Sequence, residues 1–313
     1  MIKTPFAAFG LSVLLLAGCH KNIAGPEQMA EPAKSDFPAV TDTAHVAWAG
    51  VRSSSYGINP FPSPGEWTSA MQTMSGYFTE SSPCAIWIVG EIWGSRTCHL
   101  FFPSDGSAHP NISFDSQDRH EPYLDYFDLH GVKVFLQVEP ANADIGTLID
   151  LVLDRYGHHS CVIGFGVDAE WYREADHPDW GAHVPDDSAA AWETQVKTHH
   201  PAYRLFLKHW DRSWMPPTYR GDILFISDSQ GFPDMPAMVD EFADYWADHF
   251  KPNPVAFQIG YAWDKPWWQY LGTPPKTLGQ AIADRVEQTC GIFWVDFTLR
   301  DVLLNTSVSE DPA

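Results

Sequence analysis

Eight apolar runs, separated by polar or amphipathic segments, constrain the fold of this chain more than any other feature of its sequence. Several of the intervening segments have helical spacing of their apolar residues, most clearly 145–156, 188–200 and 238–250. Apolar runs of strand length that alternate with helices are typical of a parallel sheet covered on both faces. The runs lie at 46–57, 84–94, 132–140, 161–172, 203–210, 222–232, 254–264 and 290–299.

The number of runs and the length of the chain together predict an α/β fold of the (β/α)8 barrel type. Residues 45–313 amount to about 270 residues, a normal size for such a barrel. No internal repeat or further domain boundary is visible, so we expect one domain over this range. The end of the fifth run, from Lys208 to Trp210, could instead belong to a helix.

Residues 1–19 have the features of a lipoprotein signal peptide. Lys3 precedes an apolar run that ends at Ala17 and is too short for a membrane span. The sequence LAGC that ends at Cys19 resembles a bacterial lipobox, which implies cleavage before Cys19 and lipidation of its thiol. The alternative is an ordinary secretory signal that happens to contain a cysteine.

Residues 20–44 are polar, contain prolines and lack any period, so we expect a flexible tether there. The expected location is therefore the bacterial cell envelope, with the N-terminal lipid as the sole membrane contact. His20 directly after the cysteine suits the outer membrane of a Gram-negative cell.

The charge of the chain argues against several classes of partner. The 40 acidic and 19 basic side chains give a net charge of −21, which repels nucleic acid and anionic lipid. A neutral or cationic partner fits better, and we expect no cofactor.

The cysteines beyond Cys19 leave two interpretations open. Cys84, Cys98, Cys161 and Cys290 have no CxxC or His-paired spacing, so we expect no zinc site and no other metal. In an oxidising compartment a disulfide could form, and Cys84 and Cys98 are the nearest pair. Because three of the four begin predicted strands, buried free thiols are the other interpretation.

Polar and aromatic side chains gather where the predicted strands end, whereas the strand beginnings are apolar or carry Pro and Cys. Active sites of (β/α)8 barrels lie at the carboxyl ends of the strands, so this asymmetry predicts a functional pocket there. The residues in question are Arg52, Tyr56, Glu91, Trp93, Gln137, Glu139, Asp168, Glu170, Lys208, His209, Asp228, Gln230, Gln258, Tyr261, Asp264, Trp294 and Asp296.

The fourth run supplies the central pair of this set. It ends in GFGVDAEWY at 164–172, and side chains two apart on a strand share a face, so Asp168 and Glu170 should lie close together. The alternative is a structural ion pair with Arg52 or Lys208. We favour a functional role because adjacent buried acids without one are rare.

The same stretch resembles the end of the DGxDxDxE signature of glycoside hydrolase family 18, which closes the fourth strand of a (β/α)8 barrel. Gly164, Asp168 and Glu170 match the glycine, the last aspartate and the catalytic glutamate of that signature. Ile163 and Gly166 stand where the first two aspartates would be.

Two positions on later strands add to the resemblance. Asp228 falls where a sixth-strand Met-x-Tyr-Asp motif ends, and Trp294 falls where a tryptophan floors the sugar site. Ser227 stands at the tyrosine position of that motif, for which Tyr261 on the next strand could substitute.

The resemblance implies a glycoside hydrolase acting on a glycan or oligosaccharide. Glu170 would be the general acid, and Asp168 would orient a substrate acetamido group whose carbonyl oxygen attacks the anomeric carbon. Tyr261 would hold that carbonyl. Asp228 and Gln230 would bond sugar hydroxyls, Trp294 would stack under the ring, and Glu91, Glu139 and Asp264 complete the candidate substrate-binding residues.

Other interpretations remain open at this point. Glu170 could act with Asp264 or Asp296 as the nucleophile of an ordinary two-carboxylate mechanism. The protein could instead be a non-catalytic carbohydrate-binding lipoprotein, and the aromatic segment 261–270 suits either role. Glu139 could cap a loop, Trp294 could be a core residue, and His209 is expected to be a hydrogen-bonded wall residue.

The lipobox generates a direct test. Cys19→Ser should abolish labelling by a fatty-acid probe and release the protein from the membrane fraction, because the thiol that carries the lipid is gone. Labelling and fractionation of cells that express each form measure this. Unchanged partitioning into the membrane would contradict a lipid anchor at Cys19.

Overall fold

The structure, a computed structural model, describes residues 45–177 and 181–304. The predicted signal peptide, the lipobox Cys19 and the tether lie outside these residues. Within them, no helix has both the length and the apolar character that a membrane span requires.

A closed barrel of eight parallel strands forms the centre of the described region. The first strand pairs in parallel with both the second and the last, which closes the sheet. This confirms the predicted (β/α)8 barrel, including the strand predicted at 203–210. The strands are β1 (Val46–Ser53), β2 (Ser82–Trp93), β3 (Thr97–Leu100), β4 (Ile112–Phe114), β5 (Lys133–Val138), β6 (Val162–Asp168), β7 (Arg204–Lys208), β8 (Leu224–Ser227), β9 (Val255–Ile259) and β10 (Cys290–Val295).

Two of these strands lie outside the barrel. β2 extends to Trp93 and pairs with β3 in an antiparallel hairpin, and β4 pairs in parallel with β3. The hairpin therefore extends the sheet at the carboxyl end of β2.

Helices cover the barrel as the apolar spacing predicts. The segment predicted at 145–156 is a helix with those bounds, capped by Asp144, whose side chain accepts from the Thr147 amide. The segment predicted at 238–250 belongs to a longer helical stretch with a π-helical turn (Glu241–Ala247) in its middle. The helices are α1 (Pro64–Ser75), α2 (Glu121–Leu129), α3 (Ile145–Tyr156), α4 (Asp186–His199), α5 (Met235–Asp240), α6 (Asp248–Phe250), α7 (Lys265–Trp268), α8 (Pro274–Ala283) and α9 (Leu299–Val302).

The apolar side chains form two separate clusters. The larger one packs the helices against the outside of the barrel. The smaller one fills the barrel interior and includes Ile86, Phe135, Phe206, Ile226 and Phe293. This inner cluster forms a packed floor, so polar side chains of the same strands can only project beyond it, towards the carboxyl ends.

All four described cysteines are free and buried, so the disulfide considered for Cys84 and Cys98 does not form. The reason is their placement. Cys84 belongs to the inner cluster, whereas Cys98 packs in the outer one. Of the two interpretations, buried free thiols are the one that the structure supports.

A close approach inside the barrel requires a glycine on β6. A Cβ atom at Gly166 would lie 1.9 Å from an atom of the Phe206 ring. Any side chain at this position would have to displace that ring from the packed floor, so the glycine is a steric requirement of the barrel interior.

Gly166→Ala should therefore lower the free energy of unfolding by about 1–3 kcal/mol, the usual cost of overpacking a core. Urea denaturation followed by circular dichroism measures the loss. Gly272→Ala is the matched control, because nothing lies within 4 Å of a Cβ at Gly272. Equal stability of the two variants would contradict the steric role of Gly166.

Candidate active site

The ends of three neighbouring strands bring one buried lysine together with two aspartates. Asp168 on β6 is in register with Lys208 on β7, and Asp228 directly follows β8. The Lys208 Nζ lies 2.9 Å from Asp168 Oδ2 and also contacts Asp228 Oδ2. All three side chains are nearly inaccessible to solvent. Parallel neighbouring strands that end at one level explain why residues 20 to 60 positions apart meet here.

Glu170 joins this group by a different route from the one expected. The strand ends at Asp168, and Ala169–Trp171 form a 3₁₀ turn, so the two acids do not share a strand face. The turn nevertheless places Glu170 Oε2 4.0 Å from the Lys208 Nζ. The Glu170 side chain is 14% exposed against 1% for Asp168, so Glu170 is the acid that a substrate can reach.

The protonation of these groups follows from burial and from their mutual charges. Burial raises the pKa of Glu170 well above its usual range, and the neighbouring charge of Asp228 and a hydrogen bond to it raise it further. Burial also raises the pKa of Asp168 to about 7, although the charge of Lys208 opposes this shift. Lys208 remains a cation, because the surrounding carboxyl groups raise its pKa more than burial lowers it.

Four buried polar atoms beside this group have no hydrogen-bond partner within the described protein: Gln137 Oε1, Asp168 Oδ1, Asp228 Oδ1 and Gln258 Nε2. The other terminal polar atom of each of these side chains does have a partner. Gln137 Nε2 donates to Asp168 Oδ2 at 3.3 Å, and the Tyr261 hydroxyl donates to Gln258 Oε1 at 3.0 Å. Buried polar groups are rarely left unpaired, so donors and acceptors of this kind are suited to a hydroxyl-rich ligand.

A second polar network lies at the ends of β1, β2, β5 and β10. Arg52 Nη1 donates to Asp296 Oδ1 at 3.0 Å, and Arg52 also contacts the Tyr56 hydroxyl. That hydroxyl donates to Glu139 Oε1 at 2.6 Å. Burial raises the pKa of Glu139, and the charge of Glu91 raises it further. Glu91 itself accepts from the amide and hydroxyl of Ser55.

Two predicted site residues, Asp264 and Trp294, have structural roles away from the Lys208 group, and a third, Gln230, lies in a loop. Asp264 is fully buried and its Oδ1 accepts from the Gly231 and Phe232 amides, so it holds the loop after β8. Trp294 is fully buried in the outer cluster, where its indole N–H donates to the Thr298 hydroxyl. Its ring therefore packs outside the barrel and not at the barrel mouth. The side chain therefore lies where a core residue would. Gln230 is half-buried in the loop after β8.

His209 is a wall residue, as expected. Its Nδ1 accepts from the Asp211 amide at 2.8 Å, and its ring stacks on Trp214. These contacts explain its place after β7 without a metal.

Exposed aromatic side chains follow the ends of three barrel strands. Tyr56 follows β1, Trp93 ends β2 and stacks on His99, and Trp263 follows β9. A cavity of about 300 Å³ is lined by Ser53 to Ser55, Phe61 and Tyr123 among others, and by none of these three exposed rings. A larger cavity of about 480 Å³ is lined by Asp105, Asp150 and Asp154 among others, and none of the mouth residues borders it.

The sequence pattern predicts a group of acids at the strand ends but does not reveal the residues that organise them. It offers Arg52 and Lys208 only as ion-pair partners and assigns no role to Gln137 and Gln258. Their shared signal was available: each is a polar residue at the end of an otherwise apolar strand. What the pattern could not show is which atoms remain without a partner.

Comparisons with known proteins find no family model and no curated protein that matches the chain. Among solved structures, the chain is similar to a "putative alpha-L-fucosidase" from Bacteroides thetaiotaomicron, with 12% identity, a TM-score of 0.46 and coverage of 86% of this chain and 91% of that one. An intracellular xylanase from Thermoanaerobacterium saccharolyticum has 11% identity, a TM-score of 0.35 and coverage of 82% and 90%. An arabinofuranosidase has 12% identity, a TM-score of 0.41 and coverage of 79% and 64%. At these scores the likenesses carry no argument about activity.

Proposed function

We propose that this protein hydrolyses glycosidic bonds, with Glu170 as the proton donor. The observation that carries the proposal is the group around Lys208: one accessible carboxyl group with a raised pKa beside two buried aspartates, at the mouth of a (β/α)8 barrel. A carboxyl group that stays protonated near neutral pH is what general acid catalysis requires. The exposed aromatic rings near the mouth offer flat surfaces on which sugars stack.

In the mechanism that we favour, the substrate supplies its own nucleophile. The Glu170 proton passes to the glycosidic oxygen as the bond to the anomeric carbon breaks. The carbonyl oxygen of a substrate acetamido group forms a new bond to that carbon, with Asp168 accepting from its N–H. Water then attacks the same carbon as its bond to the acetamido carbonyl oxygen breaks, and gives a proton to the Glu170 carboxylate, which restores the acid and the acetamido group.

The ordinary two-carboxylate mechanism is the alternative within the same function. Its two candidate nucleophiles were Asp264 and Asp296. Asp264 accepts hydrogen bonds from two loop amides, and Asp296 accepts from Arg52 and Ser54, so both carboxylates already have structural partners. Asp168, Asp228 and Asp264 each retain one oxygen without a partner, but Asp168 and Asp228 lie with Glu170 around Lys208, which favours these two as the groups that face the substrate.

A carbohydrate-binding protein without catalysis is the second candidate function. The observation that favours it is the ion pairing of Lys208 with both aspartates, which neutralises acids that a hydrolase would use.

We also propose that Cys19 anchors the chain to the bacterial cell envelope, as expected from the lipobox.

The proton donor can be tested by one conservative substitution. Glu170→Gln should lower turnover by about 10²–10⁴-fold while glycan affinity survives, because the amide keeps the shape but has no transferable proton. Hydrolysis and binding are both recorded across a glycan panel. Glu287→Gln is the matched control, since Glu287 is exposed and pairs with Lys251.

The same panel separates the alternatives. Under substrate assistance, Asp168→Asn slows turnover only for sugars that carry an N-acetyl group, whereas an ordinary nucleophile would be needed for every substrate. If the wild type binds glycans, hydrolyses none, and both variants bind equally well, the hydrolase proposal is wrong and the binding protein leads.

The pH dependence of hydrolysis gives an independent check. Activity should fall as pH rises through the pKa of Glu170, because the acid works only while protonated. Asp228→Asn should move this alkaline limb to lower pH, since it removes a negative charge that raises the pKa of Glu170. Rate profiles against pH measure the shift. The control Asp240→Asn changes an exposed carboxyl group that pairs with Arg285, and should leave the limb in place.

A further inference from the structure

A cluster of two histidines and one glutamate lies away from the barrel mouth. Glu121 is the first residue of α2, and His158 and His159 occupy the loop between α3 and β6. Glu121 Oε1 lies 3.3 Å from His158 Nε2 and 3.6 Å from His159 Nε2. The three ligand atoms lie within 4.8 Å of one another.

Hydrogen bonds set the tautomer of both imidazole rings. His159 Nδ1 lies 2.8 Å from Asp128 Oδ2, and His158 Nδ1 lies 3.1 Å from the Arg155 carbonyl oxygen. A carboxylate or carbonyl oxygen can only accept, so both Nδ1 atoms carry the proton. In the neutral form of each ring Nε2 then carries the lone pair, and both Nε2 atoms are on the side of Glu121. This is the arrangement in which histidine binds a metal, with the other ring nitrogen fixed by an acceptor.

The buried part of the cluster lacks partners. The His159 side chain is only 1% exposed, and its Nε2 has no hydrogen-bond partner within the described protein. Glu121 Oε2 is likewise buried without a partner. The 3.6 Å gap between His159 Nε2 and Glu121 Oε1 is too long for a hydrogen bond. His159 Nε2 and Glu121 Oε2 are thus two buried polar atoms without a partner, on side chains that lie next to each other.

We propose that Glu121, His158 and His159 form a binding site for a divalent transition metal ion of the Zn²⁺ class. Ligands at 2.0–2.1 Å from zinc and at tetrahedral angles lie about 3.3 Å apart, close to the two separations observed here. Imidazole nitrogen and carboxylate oxygen are ligands that Zn²⁺ accepts. The Glu121 and His158 side chains are 33% and 59% exposed, so the ion can enter and water can complete its coordination.

Asp128 is the positioning residue of this site. Its second oxygen accepts from the Cys161 amide at 2.6 Å and from the Ser160 hydroxyl at 3.0 Å, so the carboxylate that orients His159 is itself tied to the start of β6. The nearby cation Arg155 is paired with Asp118 and does not compete with a metal for Glu121.

The site is tested by counting bound metal in the full chain, purified with an affinity tag that contains no histidine. The protein is stripped with a chelator and dialysed against Zn²⁺, and zinc per chain is measured by mass spectrometry. Glu121→Gln and His158→Ala should each retain one equivalent less than the wild type. His130→Ala, which removes an exposed histidine just beyond α2, should retain as much as the wild type.

Asp128→Asn should weaken zinc affinity by about 10–100-fold, the usual effect of removing the acceptor that orients a ligand.

The thermal midpoint of the wild type should rise with Zn²⁺, and that rise should disappear in Glu121→Gln. Equal zinc content in the wild type and both ligand variants, or no zinc in any of them, would overturn the proposal. Because none of these readouts uses glycan hydrolysis, the result is independent of the function proposed for the barrel mouth.

Discussion

The buried ammonium group of Lys208 is the interaction on which the barrel mouth depends. A carboxylate removed from water is costly unless a partner compensates for it, and Lys208 is the described cation that contacts both Asp168 and Asp228. Without it, two adjacent buried carboxyl groups could not both ionise. The lysine thereby allows strands β6, β7 and β8 to end in charged residues at one level above an apolar floor.

The same lysine stabilises the charged forms of the three acids unequally. It contacts the two aspartates directly but lies 4.0 Å from Glu170 Oε2. Glu170 is consequently less stabilised in its charged form and, being the most exposed of the three, can retain a proton where a substrate reaches it. Under the proposed function, this difference of position around one cation would be enough to separate the proton donor from the groups that orient the substrate.

The packed floor also accounts for a departure from the family 18 signature. That signature carries an aspartate where this chain has Gly166, and the Phe206 ring occupies the space into which any side chain at 166 would project. The interior space that an extra acid would need is filled by an aromatic ring. In this chain the charge of Lys208 lowers the pKa of Asp168 against the effect of burial, which raises it.

The barrel itself was predictable from the sequence, because strand and helix periodicities are local properties. The eight apolar runs and the helix at 145–156 needed no long-range information, and most of the polar residues at the strand ends meet at the carboxyl end of the barrel, as their positions predict. Glu170 was identified by its neighbours along the chain, although the reason was incorrect, since a 3₁₀ turn rather than strand alternation places it near Asp168.

What only the tertiary structure decided are the relations between residues that are distant in sequence. It placed Trp294 in the outer cluster, assigned Asp264 to a loop and kept Cys84 apart from Cys98. It also brought Glu121 next to His158 and His159, a set that lies outside the cysteine spacing on which the expectation of no metal was based. Side-chain direction, hydrogen-bond saturation and burial depend on the closure of the sheet and the packing of helices around it. Those quantities are set by three-dimensional distance, which no local pattern in the chain records.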